Sequence, residues 1–591
     1  MITSTSLSPI PRQQFVDQTG RPLSSGLLFT YQASTTNLLA TYTDASGVTT
    51  NANPIVLDAL GGASVWLGTG AYKFVLQDSA GNTIWVVDNI VAPAFAALAD
   101  LSAATGSDLI GFQRPNGVPR TVSNRLMDTY HLNDYGAEYI GGVVDCTSLL
   151  QSAVNDIASH GGGRLILPEG DILITGTVNL VAGVVLEGAP LQEFAGNFGS
   201  TVPSTRGFGT WIKSGSPEAQ PFLQPAGINS VGLRNLSFFQ DQPVPAAGWT
   251  PTVYPPCIRL LGSGALLEKL YFFGCYAGID IGGSGMSTGR STLKHIYGEF
   301  FSYGIRTLFS ADTQVLDDIH IYPFWSTLES HVKAYAEKNT FGIVSARNDN
   351  PMWSNIFCGG VNRGIYLTST SDGSTFNLTC NNWDLDFCSN GILCDASACT
   401  ASFSNGGSQP GPDATLTNSR GFLLVGTSCR FFFTNTRFAR TNAECIAILG
   451  NNNIAGFSNL HCDSWDDQNA GIATCITSSN SNKIALSGLI DIGTHTATTA
   501  FLGGDLSSYN WPNVANSAQA GGTTNASGEV TVTHELGFVP NVINITSLTA
   551  YQFVLVVTAK TTTTFTVRAY TSNTGSAATS AAIAFSWQAN M

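Results

Sequence analysis

Between residues 131 and 512 the chain repeats one arrangement of apolar and polar positions. Short alternating runs occur at Lys269-Leu-Tyr-Phe-Phe273, His295-Ile-Tyr-Gly-Glu299, Asp318-Ile-His-Ile-Tyr322, Asn355-Ile-Phe-Cys-Gly359, Asn382-Trp-Asp-Leu-Asp386 and Asn459-Leu-His-Cys-Asp463. A period of two is the period of a β-strand, with Leu270, Ile296, Ile319, Ile356, Trp383 and Leu460 as the inward positions. A Gly-Ile pair recurs downstream at Gly278-Ile279, Gly304-Ile305, Gly364-Ile365, Gly391-Ile392 and Gly471-Ile472, and Cys445-Ile446 takes the same place once. Most of the gaps resolve into multiples of roughly 20–30 residues, and the longest early one fits two coils plus an insertion, with Asp318 to Tyr322 as one of them. Alternation repeated at that spacing predicts stacked parallel strands, hence a β-helix. An ordinary β-sandwich would not repeat so regularly.

The flanks read differently. Residues 1–92 alternate short β runs (Gly26 to Tyr31, Tyr72 to Leu76, Thr83 to Val87) with the turn signals Asp44-Ala-Ser-Gly47 and Asp78-Ser-Ala-Gly81, which predicts a small antiparallel domain. Residues 93–130, Ala-rich and then polar, predict a neck or linker. Residues 513–591 are Thr- and Ala-rich, with alternating runs at Glu529 to Thr533, Val539 to Leu548, Phe553 to Val557 and Thr564 to Arg568. They predict a β-sandwich that closes the open strand edges of the last coil.

Composition narrows the function classes. Only 11% of residues are charged, and 62 Gly and 24 Pro oppose long helices. The formal charge of −14 with no basic run argues against a phosphate backbone as partner, so no nucleic acid is expected. No apolar stretch approaches the ~18 residues of a membrane span, and the first residues lack a signal-peptide pattern, so synthesis in a cytoplasm without membrane insertion is expected. The 12 Cys show no paired CxxC spacing and read as buried thiols; neither a metal nor a cofactor is expected. The acidic cluster Asp463, Asp466, Asp467 lacks the spacing of a calcium loop.

Several of these segments carry a family resemblance. Gly20-Arg-Pro-Leu, Gly26 to Tyr31, Tyr42-Thr-Asp-Ala-Ser-Gly47, Asn53-Pro-Ile-Val-Leu-Asp58 and Tyr72 to Asp78 resemble the particle-binding domain of tailspikes and tail fibres from short-tailed bacteriophages. Ser107 to Phe112, Arg120-Thr-Val, Leu126-Met-Asp and Asp134-Tyr-Gly-Ala137 resemble the neck of such proteins. Leu149 to Ala158, Gly161 to Gly170 and Thr175-Gly-Thr-Val resemble the first helix and first coils of their pectate-lyase-like right-handed β-helix. One departure is Gly141-Gly-Val-Val-Asp-Cys-Thr147, which stands where the family usually has a more acidic stretch that orders the start of the helix. The motif Val530 to Pro540 is similar to terminal β-sandwich modules of phage fibres. The resemblance implies an all-β homotrimer in the virion tail, attached to tail adaptor proteins through residues 1–92 and directed at a bacterial surface polysaccharide, capsule or O-antigen.

If the six named positions point inward, their neighbours form outward columns. One reads Tyr271, Tyr297, His320, Phe357 and Asp384, with Arg437 and His461 further on; the second reads Phe273, Glu299, Tyr322, Gly359, Asp386 and Asp463. Aromatic faces beside carboxylates suit a sugar groove, because rings stack on pyranose C–H surfaces while acids bond hydroxyls or transfer protons. Asp384 and Asp386, two apart on one strand, have Cα atoms about 6.5 Å apart and are the expected acid and base of a glycosidase, with Glu299 and His320 as further catalytic candidates. Tyr271, Tyr297, Tyr322, Phe357, Arg437, His461 and Asp463 are the expected sugar contacts. A lyase acting next to a uronate would rely instead on His320, Tyr297 or Arg437. A non-enzymatic receptor-binding fibre is the third reading. Asn235, Asn355, Asn382, Asn435 and Asn459 share one coil position and are expected to form a structural amide ladder.

Overall fold

A computed structural model describes residues 6–91, 98–136, 141–189, 208–322, 324–325, 329–411, 418–467, 473–479, 481–492, 502–504, 509–510, 515–534, 539–549 and 553–590. The chain divides into two compact units, 1–127 and 128–591. In the first, a three-stranded and a four-stranded antiparallel sheet enclose Phe15, Leu28, Val65, Leu67, Phe74 and Leu76. The alternation of strand Ala71–Gln77 maps directly onto its burial, with Tyr72, Phe74 and Leu76 inside. The stretch that follows contains two short helices, Leu98–Ser102 and Val122–Leu126.

The second unit is a right-handed parallel β-helix. Its open N-terminal end is closed by helix Thr147–Ser159, which buries Leu150, Ala153, Val154 and Ile157 against the first coils. Asp145 fixes the start of that helix: its carboxylate accepts from the Thr147 N–H (3.0 Å) and hydroxyl (2.6 Å) and from the Thr175 hydroxyl one coil away (2.6 Å). Asp145 is thus the carboxylate of Gly141–Thr147 that the helix start uses.

The expected inward ladder is present. Leu270, Ile296, Ile319, Ile356 and Trp383 are successive register partners, and all are buried. The ladder continues through Gly406 and Thr436 to Leu460. The coil Thr400–Gln409 has no alternating apolar run at its Asn405-Gly-Gly-Ser-Gln409 end, which is why the sequence pattern passes over it.

Ile279, Ile305, Ile343, Ile365, Ile392, Phe422 and Ile446 form a second ladder on the adjoining sheet. The glycine before each of several of them is required by close approach: a Cβ on Gly364 would lie 2.9 Å from the Gly391 carbonyl oxygen, and one on Gly278 2.3 Å from that of Gly304. The pair Gly471-Ile472 lies outside the described residues, and the register partner of Ile446 is Ile476. The insertion anticipated between Ile305 and Ile365 carries helix Ser330–Asn339.

The corner between the two halves of each long strand is a stack of left-handed residues: Asn235, Lys269, His295, Asp318, Asn355, Asn382, Asn405, Asn435 and Asn459, each with φ between 51° and 56°. Asparagine tolerates this conformation better than most residues, and its amide can bond to the next coil. Asn382 donates to Asn355 (2.6 Å), Asn435 to Asn405 (3.0 Å) and Asn459 to Asn435 (3.0 Å), so the amide ladder has the expected structural role. Beyond the last coils, two small antiparallel sheets pack around Phe565, Val567, Phe585 and Trp587, on strands that include Glu529–Thr533, Val542–Ser547 and Thr564–Thr571.

Candidate functional site

Because each long strand turns its corner at the left-handed residue, the side chains that follow re-enter the alternation in the same phase in every coil. Tyr271, Tyr297, His320, Phe357, Asp384, Gly407, Arg437 and His461 are consecutive register partners. Beside them lie Gly359, Asp386 and Gln409, and then Asp463. The outward stripe is thus continuous, and its parts differ in character along the axis.

Its N-terminal part is covered. Tyr271 is 4% exposed and Glu299 2%, because Trp249, Trp325 and Val332 of helix Ser330–Asn339 pack over Trp211, Tyr271, Phe273 and Phe301. The Glu299 carboxylate accepts from the Trp325 N–H at 2.7 Å and so holds this cover down. Both residues point outward as expected, yet neither faces solvent; for them the structure corrects the sequence reading. Tyr297 is half-buried and donates to Asp318 at 2.6 Å.

The middle part is an aromatic step. The His320 ring lies 4.6 Å from that of Phe357, 5.7 Å from that of Tyr322 and 5.8 Å from that of Tyr297. Burial among these rings pushes the His320 pKa down, with Asp318 opposing only in part. A neutral imidazole wrapped in rings is a stacking surface rather than the acid of a reaction. Tyr322 is exposed at its edge.

Next along the axis is a cleft of about 330 Å³ lined by Asp384, Gly407, Gln409 and Arg437 and floored by the strand that carries Gly406. Gly407 makes the opening, since it leaves the outward column empty between Asp384 and Arg437, which sit two coils or about 9.6 Å apart. Desolvation raises the pKa of Asp384, with Arg437 pulling the other way; more than a third of the residue meets solvent, so the net push is modest. Asp386 is less exposed. Desolvation raises its pKa too, and the neighbouring Asp384 charge adds to it, while the bond from Gln409 and the Arg440 charge pull the other way without cancelling the rise. Asp386 is therefore the better proton holder of the pair.

On the far side of the cleft, Arg437 donates to Gln409 (3.0 Å) and Asp463 (2.8 Å), and Asp463 also bonds His461 Nε2 (2.8 Å). Burial pushes the Asp463 carboxyl up, but the bonds from His461 and Arg437 outweigh it and hold the pKa below the ordinary range. Asp463 thus remains an anchor for the guanidinium. Sequence reasoning missed Gly407 and Gln409, for which the only signal was the Asn405 that continues the amide ladder.

All 12 cysteines are buried and unbridged. The sulfurs of Cys445, Cys462 and Cys475 lie within 4.8 Å of one another inside the solenoid. Burial pushes the Cys462 and Cys475 thiols up, whereas at Cys445 burial is outweighed by hydrogen bonds from Cys462, Cys475 and Thr441, which pull the thiol down; Cys445 also donates to the Phe438 carbonyl at 3.3 Å.

No family model matches the chain, and no curated protein does. Among solved structures it is similar to the tailspike protein of E. coli bacteriophage HK620 in complex with pentasaccharide, at 12% identity over 84% of this chain and 99% of that one, with a TM-score of 0.42. Two structures of one mutant of the same tailspike match over the same shares at 12% identity. One is in complex with a hexasaccharide, with a TM-score of 0.43, and the other with a pentasaccharide, with a TM-score of 0.45.

Proposed function

We propose that this chain is a bacteriophage tailspike that binds a bacterial surface polysaccharide and cleaves it by glycoside hydrolysis, Asp386 acting as general acid and Asp384 as its ionised partner. The observation that carries the chemistry is the pair itself: two carboxyls two residues apart on one strand face, each pushed up by burial and Asp386 further by Asp384, with Asp384 lining a cleft that has a cation on its far wall and Asp386 beside it, next to the lining residue Gln409. A glycosidase needs this asymmetry, because one carboxyl must keep its proton for the leaving oxygen while the other stabilises or attacks the developing oxocarbenium centre or activates water.

The tailspike part of the reading rests on the sequence resemblance of residues 10–190 and on the β-helix that follows it. The same resemblance assigns residues 1–92 to attachment in the virion tail. The aromatic step formed by Phe357, His320 and Tyr322 gives stacking surface next to the cleft, and Arg437 with Gln409 supplies hydroxyl contacts.

A lyase is less well supported. Its candidate base His320 is enclosed by rings, Tyr297 beside it is bonded to Asp318, and Arg437 is engaged by Asp463 and stands four coils away from His320.

Incubation of the purified protein with host capsule or lipopolysaccharide, with reducing ends and unsaturated uronates assayed in parallel, tests the assignment. Reducing ends without unsaturated products are expected. Unsaturated products would establish a lyase, and binding with neither product a non-enzymatic fibre.

A further inference from the structure

A second feature lies around the corner of the coil from the groove. The last turn of helix Ser330–Asn339 is tied across that corner, since Asn362 Nδ2 donates to the Lys338 carbonyl (2.9 Å) and Ser389 Oγ to the Glu337 carbonyl (3.1 Å). On the adjoining sheet, Tyr303, Phe341, Arg363, Asn390 and Arg420 are consecutive register partners, and Arg306 lies in the next column. Arg306, Arg363 and Arg420 therefore put three guanidinium groups on this face, with Arg259 two coils from Arg306 in its column, in a chain whose net charge is −14.

Two of the three have carboxylate partners: Arg306 donates twice to Asp280 (2.8 and 2.7 Å), and Arg420 donates to Glu444 (2.7 Å). Arg363 differs. Among the described residues it has no carboxylate partner, and its guanidinium instead lies over a pair of touching rings, 4.2 Å from the centroid of Tyr366 and 5.0 Å from that of Phe341, with the two centroids 5.4 Å apart. Tyr366 is in turn fixed by its hydroxyl bond to Asp395 (2.5 Å). A guanidinium held by cation–π contacts keeps its charge, gives up rotamer freedom in advance, and keeps its planar fork oriented for a carboxylate. The register neighbour where a compensating acid would be expected is Asn390, whose buried Oδ1 has no hydrogen-bond partner either.

We propose that Arg363, with Tyr366 and Phe341, forms a second glycan-binding site, outside the catalytic groove, for a carboxylate-bearing sugar residue such as a uronate. The inference rests on the reading of the protein as a polysaccharide binder. Its role is to hold the polymer while the groove acts on another segment, so that polymer affinity exceeds that of the cleft alone. With a net charge that repels polyanions, an anionic polymer needs such local positive points to dock.

The test uses the full-length protein and two probes, methyl β-glucuronide and methyl β-glucoside, with binding followed by saturation-transfer NMR and calorimetry. The glucuronide should bind and the glucoside should not. Binding should persist in Asp386→Asn and in Arg437→Gln, and weaken at least about tenfold in Arg363→Gln, the expected effect of losing a bidentate charge-assisted pair. Asn390→Asp, which sets a carboxylate beside the intact arginine, should weaken it similarly.

Glucuronide binding that survives Arg363→Gln but is lost in Arg437→Gln would place acid recognition in the groove and overturn the inference while leaving the proposed function standing. Equal binding of both probes would overturn it as well. A change of sedimentation in Arg363→Gln would show that the arginine meets a neighbouring protomer and would also overturn it. All readouts are of binding or assembly, so absence of turnover by the wild type would count against the proposed hydrolysis alone.

Discussion

Asp384 and Asp386 share a strand face but not an environment, and the difference sets their expected behaviour. Substituting either by Asn should reduce turnover by about 100-fold or more, the usual loss when an acid or base is removed, while polymer binding is kept. The same substitutions should not destabilise the protein at neutral pH. A carboxyl whose pKa is raised in the folded state binds more protons folded than unfolded, so its favourable contribution is present at low pH and is lost as pH rises through the folded pKa. The pair should therefore add stability as pH falls from neutral towards the carboxylate range, against the loss from carboxyls held low such as Asp145 and Asp463, and the difference in melting between wild type and Asp386→Asn should shift in favour of the wild type as pH falls. A variant that melts lower than wild type at neutral pH would contradict the assignment of burial as the cause. Tyr322→Ala, by contrast, should weaken polymer binding and leave the turnover of bound substrate unchanged, as it removes an exposed stacking edge. Tyr297 is a less clean probe, because its bond to Asp318 also supports the corner.

At the scale of elements, much of the solenoid was written in the sequence. The inward ladder from Leu270 to Leu460 and the outward column beside it follow from strand alternation, and the Gly-Ile pairs follow from the close approach at a second corner. What alternation cannot report is cover supplied from elsewhere in the chain. Trp249 and helix Ser330–Asn339 are non-local, so burial of Tyr271 and Glu299 was not legible. Nor was the coil at Asn405 to Gln409, where two glycines erase the apolar signal in the place where they open the cleft.

The asparagine corner gives an element-scale prediction. Asn435 has φ 53°, donates to Asn405 and accepts from Asn459. Ala at this position loses both bonds and strains the backbone, whereas Gly loses the bonds alone. Thermal unfolding should rank wild type above Asn435→Gly above Asn435→Ala, with the Ala variant lower by about 1–3 kcal/mol. Equal midpoints for Gly and Ala would mean that the left-handed conformation is not what the ladder protects.

The whole molecule is expected to be a homotrimer. Leu109, Ile110, Phe112, Leu126 and Met127 are exposed near the end of the first unit, and Val554 and Val556 on strand Phe553–Lys560 of the C-terminal sheets; three-fold association would cover such apolar edges. Sedimentation should give three times the 62.3 kDa chain mass, and a monomer would refute the assembly. A chain beginning near residue 105 should remain trimeric and keep polysaccharide binding; loss of binding in a soluble trimer would give the N-terminal domain a share in the receptor site.

The central claim is hydrolysis of a surface polysaccharide through the Asp384 and Asp386 pair. Its most direct measurement is the release of reducing ends from purified host polysaccharide by the wild type and by Asp386→Asn at matched polymer binding. Reducing ends without unsaturated uronates are expected from the wild type, and a loss of about 100-fold or more in the variant. Full activity in the variant, or unsaturated products from the wild type, would contradict the claim.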